Sequence, residues 1–254
     1  MTKRILVTGG TGRLGRALVP QLLDVGDDVR VLTRSERASA AHPWMVGDLR
    51  TGSGLAEAVD GVDLVIHLAT TNGRGDVTAT RALIEAAQAS GRPHLVYLSI
   101  VGIDGHALGY YRAKVECEAL IQRSGLPWTI LRTTQFHDLI AEICDAQRKL
   151  PFTVMPSKVS FQPIDVTDVA GRLVATTEGP ARGRLPDLGG PQIHAATDLA
   201  RMYLRAVGRR RPVWAVPLPG KVIRDFRAGK QLTPERADGR ITFEEFLAAR
   251  EGAR

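Results

Sequence analysis

Apolar residues run along this chain in two alternating rhythms. Short, nearly unbroken stretches read as strands: Arg4-Ile5-Leu6-Val7, Val29-Arg30-Val31-Leu32-Thr33, Trp44-Met45-Val46, Asp63-Leu64-Val65-Ile66-His67-Leu68-Ala69 and His94-Leu95-Val96-Tyr97-Leu98-Ser99. Wholly apolar middles, as in 64–66, suit parallel strands covered on both faces. Between them apolar positions recur at helical spacing: Leu14, Ala17, Leu18, Leu22 and Val25 after the first strand, then Val77, Ala82, Leu83, Ala86 and Ala87 within 76–90. A further helix starts at Gly109 and runs to Gly125, and Trp128-Thr129-Ile130-Leu131-Arg132 makes a sixth strand. Strands separated by helices predict an α/β fold, a doubly wound parallel sheet with right-handed crossovers.

Past Arg132 the rhythm loosens. Residues 150–156 and 159–163 read as short extended segments and 165–177 as a helix opened by acidic and hydroxyl residues. A helix over 197–207, capped by Thr197, and a strand over 213–217 follow. The expected organisation is a dinucleotide-binding core over 1–150 and a small C-terminal substrate lobe over 151–254, both in one compact unit. Met155, Phe161, Trp214 and Phe226 are candidates for an apolar pocket, with core packing the competing use. Phe243, Phe246 and Leu247 share one helical face that should dock on the body or on a subunit.

The turn after the first strand gives the pattern its chemistry. Gly9, Gly12 and Gly15 form a G-x-x-G-x-x-G pattern between strand and helix, with Thr11, Arg13 and Leu14 interleaved. Missing Cβ atoms there permit a tight turn, close approach of a pyrophosphate and close helix packing, while free helix N–H groups favour an anion. This is the context that makes the sheet a Rossmann fold. The second strand ends in Thr33-Arg34-Ser35 with no acid before Glu36. A carboxylate there would hold adenosine ribose hydroxyls, whereas Arg34, with Arg13, suits a 2′-phosphate, so NADP is expected and NAD disfavoured. Gly47-Asp48-Leu49 places Asp48 to accept from the adenine amino group or to close a turn. Ala69 and Thr70, at the carboxyl end of the fourth strand, suit contact with a ribose, and Thr71 faces the substrate space. His67, inside that strand, reads as a packed histidine.

Bulk properties remove other classes. The chain has 254 residues, 44% hydrophobic and 24% charged, and its net charge of +7 comes from dispersed arginines. The densest run, Arg209-Arg210-Arg211, reads as a helix C-terminal cap rather than a nucleic-acid patch. Cys117 and Cys144 make neither a disulfide framework nor a metal cluster and read as packed thiols. No apolar stretch approaches the ~20 residues of a membrane span. The expectation is a cytoplasmic protein, monomer or homodimer, with a small-molecule substrate and no metal, nucleic acid or membrane partner.

Reactive candidates follow the fifth strand. Tyr110 and Lys114 stand four apart and share a helix face, where an ammonium can lower a phenol's pKa and hold the nicotinamide ribose. Ser99, ending its strand, could add a second hydrogen bond to a developing alkoxide. After the sixth strand, Gln135, Phe136 and His137 reach the ligand-facing end, where Phe136 walls a pocket and His137 either bonds a substrate oxygen or lies at a helix start.

With Thr8-Gly9-Gly10-Thr11-Gly12-Arg13-Leu14-Gly15, Gly47-Asp48-Leu49, Tyr110 with Lys114, and Leu126-Pro127-Trp128-Thr129-Ile130-Leu131-Arg132, the chain resembles the atypical short-chain dehydrogenase/reductases of the NmrA-like branch. The resemblance implies a Ser99-Tyr110-Lys114 site and an NADP-dependent oxidoreductase acting on a carbonyl or conjugated small molecule. The same branch contains non-catalytic NADP(H) sensors, and the scaffold also supports non-redox isomerases, cyclases and dehydratases.

Overall fold

The first apolar run forms strand β1 (Arg4–Thr8), and the glycine turn leads into α1 (Arg13–Asp24). In chain order follow β2 (Asp28–Thr33), β3 (Trp44–Val46), α2 (Leu55–Val59), β4 (Leu64–His67), α3 (Gly75–Ala89), β5 (His94–Ile100), α4 (Gly109–Arg123) and β6 (Trp128–Thr133). The remainder supplies α5 (His137–Ala146), β7 (Thr153–Pro156), β8 (Ser160–Phe161), α6 (Val166–Thr177), β9 (Gly183–Arg184), β10 (His194–Ala195), α7 (Ala196–Ala206), β11 (Val213–Val216), α8 (Lys221–Arg227) and α9 (Phe243–Gly252). These elements are those of a computed structural model, which describes residues 2–38 and 41–252.

The chain forms two units from interleaved segments. One comprises Met1–Ser99, Gly109–Arg132 and Ala170–Pro186; the other Ile100–Leu108, Thr133–Val169 and Asp187–Arg254. The first holds a seven-stranded parallel sheet ordered β3-β2-β1-β4-β5-β6-β9. Its centre is apolar on both faces, with Ile5, Leu6, Val7, Val65 and Ile66 fully buried. From β1 the chain first builds outward through β2 and β3, then returns to place β4 on the other side. This reversal puts the carboxyl ends of β1 and β4 side by side, with Thr8 in register with His67, at the switch point where such sheets bind ligands. The seventh strand, β9, has no apolar run to announce it and pairs through Gly183 and Arg184 with Thr129 and Ile130.

In the second unit a parallel pair, β7 with β11, and an antiparallel pair, β8 with β10, accompany α5, α7, α8 and α9. Ile140, Met155, Leu199, Tyr203, Phe243 and Leu247 form its core, so the C-terminal aromatic face docks on the chain's own body. Met155 and Phe161 are core residues, whereas Trp214 is half exposed and stacks on Phe152 at 4.2 Å. The helix expected to be capped by Thr197 begins instead at Ala196, and its N-cap, Ala195, offers no side-chain bond. The arginine run does cap a helix, but α5 rather than the preceding α7. Arg209 donates to the Arg148 carbonyl, and Arg211 to those of Gln147 and Leu150, where carbonyls left over by a helix end need donors. Cys117 and Cys144 are buried free thiols. Among the described residues no helix is long and apolar enough to cross a membrane.

Candidate dinucleotide and proton-transfer site

The three glycines of the turn meet different demands. Gly9 has φ +73, and a Cβ there would lie 2.7 Å from the Ala69 nitrogen, so only glycine lets the turn pass against the end of β4. At Gly15 a Cβ would come within 2.4 Å of the Gly9 carbonyl oxygen, which is the close helix packing anticipated above. Gly12 is crowded only by the Gly9 carbonyl oxygen, at 3.2 Å, and it lines the cleft. As N-cap of α1 it has no side chain to satisfy the first N–H groups, and the first turn carries no acid. These donors and the space left by the absent Cβ fit a pyrophosphate.

From the turn an open cleft of about 400 Å³ runs along the carboxyl edge of the sheet. Gly9, Thr11, Gly12, Arg34, Asp48, Leu49, Ala69, Thr70 and Thr71 line it, as the sequence suggested for a ligand. Arg13 is exposed on the first turn of α1, while Leu14 and Gly15 are buried in its packing and do not line the cleft. Arg37 and Arg50, not singled out from sequence, join Arg34 on the lining, which thus carries three arginines. Arg37 also lies over the Trp44 ring, 5.4 Å from its centre. Asp48 closes a turn, its carboxylate accepting from the Arg50 N–H at 2.8 Å and standing 3.7 Å from the Arg50 guanidinium. It is thus both lining and turn residue.

At the other end, Asp76 organises the loop after β4. Its carboxylate accepts from the hydroxyls of Thr70, at 2.6 Å, and Thr71, at 2.8 Å, and from the Thr71 N–H. Asp76 is 1% exposed yet contributes to the cleft wall. Thr70 Oγ1 lies 3.4 Å from the Tyr110 hydroxyl, which brings the phenol to this end of the cleft. One turn on, Lys114 is 5% exposed; its Nζ donates to the Leu98 carbonyl at 3.2 Å and lies over the rings of Tyr97 and, at 5.8 Å, Tyr110. The ammonium therefore faces the aromatic ring rather than the phenolic oxygen. Burial, the largest influence, pushes Tyr110 up to about 12; the Thr70 hydrogen bond opposes this and the Asp76 charge reinforces it. The lowered phenol expected from the four-residue spacing is thus reversed, and Tyr110 is a neutral phenol near pH 7. Burial also lowers Lys114, with the Asp76 charge acting in the opposite direction. Ser99 is 1% exposed, and its enclosed Oγ has no hydrogen-bond partner among the described residues.

His67 lies beneath this loop, between the hydroxyls of Thr8 at 2.7 Å and Thr80 at 3.2 Å. Burial drives its pKa down to about 3, so it packs as neutral imidazole. An unfolded histidine titrates near 6.5, so below that pH the unfolded chain binds a proton that folded His67 refuses. Its contribution is complete above pH 6.5, is lost as pH falls toward 3, and the loss is on the order of 1 kcal/mol by pH 5.5. Burial lowers His42, His94, His106 and His137 in the same direction. The urea midpoint should therefore fall between about pH 7.5 and about pH 5.5. A midpoint that stays level would contradict this arrangement.

The remaining expected substrate residues belong to the second unit. His137 is fully buried, Nε2 is 3.0 Å from the Ile241 carbonyl oxygen, and the ring packs against Phe243 and Phe246. It anchors the approach to α9 rather than standing at a surface helix start. Phe136 is half-buried at the N-cap of α5 and bridges to Ile164. Gln135 is buried, and its side-chain amide has no hydrogen-bond partner among the described residues.

Comparison with known proteins gives a consistent setting. The family model described as NAD(P)H-binding matches residues 9–178. The photosystem II assembly factor Ycf39 of Cyanophora paradoxa is 30% identical over 232 residues, spanning 84% of this chain and 72% of that protein. The (4-alkanoyl-5-oxo-2,5-dihydrofuran-3-yl)methyl phosphate reductase of Streptomyces griseus is 29% identical over 213 residues, spanning 81% and 74%. The NADPH complex of the Escherichia coli NADPH-dependent quinone oxidoreductase QOR2 superposes with a TM-score of 0.84 at 18% identity, covering 97% of this chain and 99% of that one. At that identity the likeness is one of fold.

Proposed function

The chain belongs to the NAD(P)H-binding family, in the NmrA-like, atypical short-chain dehydrogenase/reductase class, and on that premise we propose that it is an NADP-dependent reductase of a carbonyl or conjugated small molecule. The observation that carries this reading is the neutral Tyr110 phenol at the cleft end, with Lys114 one helical turn away. Bound NADPH supplies the hydride. Arg34, Arg37 and Arg50 attract the 2′-phosphate, since guanidinium forks match phosphate oxygens. Tyr110 gives its proton to the substrate oxygen, and the Lys114 ammonium stabilises the phenolate left behind. A phenol that stays protonated near neutral pH suits the reducing direction, in which a proton must be delivered.

The experiment for the cofactor half is direct. Arg34→Ala is expected to weaken NADPH binding about 10- to 100-fold while leaving NADH nearly unchanged. Equal losses for both dinucleotides, or none, would contradict the assignment. For the chemical half, NADPH consumption across ketones, quinones and enones is the assay. A second reading, a non-catalytic NADP(H)-dependent regulator or assembly factor, is favoured by one observation: the Ser99 hydroxyl is enclosed, leaving Tyr110 without the second donor a reductase site would use. The Ycf39 relatives are named as assembly factors. On that reading partner binding depends on NADPH and survives Tyr110→Phe.

A further inference from the structure

Asp76 has no part in the reductase reading above, yet it is the most heavily used buried carboxylate at the Tyr110 end of the cleft. Two oxygens accept from Thr70 and Thr71, and Gly75 beside it leaves room for that arrangement, since a Cβ there would lie 2.7 Å from Thr71 Oγ1 and push the hydroxyl aside. The position, in the first turn of α3, is one where helix N–H groups favour an anion.

Thr70 makes this carboxylate matter to Tyr110. A threonine hydroxyl has one hydrogen and two lone pairs. The 2.6 Å contact to Asp76 claims the hydrogen, since a carboxylate can only accept. One lone pair takes the Asn72 N–H at 3.0 Å. The other faces the Tyr110 hydroxyl at 3.4 Å. We propose that Asp76 is a positioning residue for Tyr110: by claiming the hydrogen of Thr70, its carboxylate leaves Thr70 only a lone pair to offer and so holds the phenol as an O–H donor. When Tyr110 gives its proton to a substrate oxygen, the Tyr110 O–H bond breaks and a new O–H bond forms on the substrate. Phenolate and carboxylate then compete for the Thr70 hydrogen. Short of a full hydrogen bond from Thr70, the phenolate is the disfavoured form, so Tyr110 takes a proton from solvent water, releasing hydroxide to the bulk, and is ready for the next turnover. Other groups near the phenol differ in kind. Lys114 lies over its ring, Tyr111 and Cys117 share α4, Tyr97 comes from β5, and His67 of β4 is neutral. Asp76 is the negative charge among them.

The inference rests on Tyr110 as proton donor, but its test needs no substrate. The ionisation of Tyr110 is followed in the full chain through tyrosine Cζ signals of 13C-labelled protein, assigned with Tyr110→Phe. Asp76→Asn removes the charge and keeps the shape; it is expected to bring the Tyr110 midpoint down toward the ordinary phenol value of about 10. Thr70→Val removes the hydroxyl through which Asp76 acts, so in a Thr70→Val background the shift caused by Asp76→Asn should largely vanish. A merely structural loop, or a charge acting through space alone, would leave that shift in place. An unmoved or raised midpoint in Asp76→Asn overturns the proposal, as does a shift that persists undiminished with Thr70→Val. Should Asp76→Asn fail to fold, Asp76→Ser carries the same comparison. Failure of the reductase reading shows separately, as NADPH-dependent turnover unaffected by Tyr110→Phe.

Discussion

Tyr110→Phe is expected to lower NADPH-dependent turnover by about 10²- to 10⁴-fold, the usual contribution of a positioned general acid. Dinucleotide affinity should remain nearly unchanged, because the residues that line the adenosine and pyrophosphate end are unaltered. The substitution removes one oxygen and leaves the ring in place under Lys114. Tyr111, its neighbour, is not expected to substitute: it is buried, whereas Tyr110 is half-buried and meets Thr70. Stopped-flow NADPH oxidation with a responsive acceptor checks this, and full activity in the variant removes Tyr110 as the acid.

The second large effect is on stability. Glu118 of α4 and Arg132 of β6 form a two-pronged pair at 2.8 and 2.6 Å, with side chains 5% and 4% exposed. This pair fixes the helix bearing Tyr110 and Lys114 to the sheet. Glu118→Gln neutralises the carboxylate that this buried guanidinium meets with two bonds and should cost about 3–5 kcal/mol. The double variant Glu118→Leu, Arg132→Met removes both charges and should recover much of that loss, since desolvating a buried pair offsets most of its attraction. A urea-unfolding cycle measures the coupling. Additive single losses would mean that Arg132 is held by other groups.

The sheet and its ligand edge were legible because their signals are local. Wholly apolar strands and a glycine turn each declare themselves within a few residues, the fold follows from their alternation, and the end of β2 puts Arg34 on the cleft lining. The cleft-lining Arg37 and Arg50 lie within three residues of Arg34 and Asp48, but nothing in a single arginine separates a ligand contact from a solvated one. Contacts made at long range left no such mark. His137 owes its burial to Ile241, Phe243 and Phe246, more than a hundred residues away. Asp76 looks in sequence like any acid opening a helix, and only the fold brings Thr70 between it and Tyr110. The four-residue spacing of Tyr110 and Lys114 gave proximity but not sign: the ammonium meets the ring face, and burial sets the phenol. The interleaving of the two units was also hidden, because residues 170–186 return to the first unit through a strand of two residues, Gly183 and Arg184.

Deuterium transfer tests the central claim most directly. The chain is incubated with NADPH deuterated at nicotinamide C4 and a panel of ketones, quinones and enones, and products are read by mass spectrometry. A reductase transfers the label to ketone or enone carbon, where it does not exchange with solvent, and with a quinone, whose hydroquinone hydrogens do exchange, it removes the label from the dinucleotide; Tyr110→Phe suppresses that transfer. NADPH that binds tightly, keeps its deuterium with every acceptor and instead controls association with a protein partner would contradict the account.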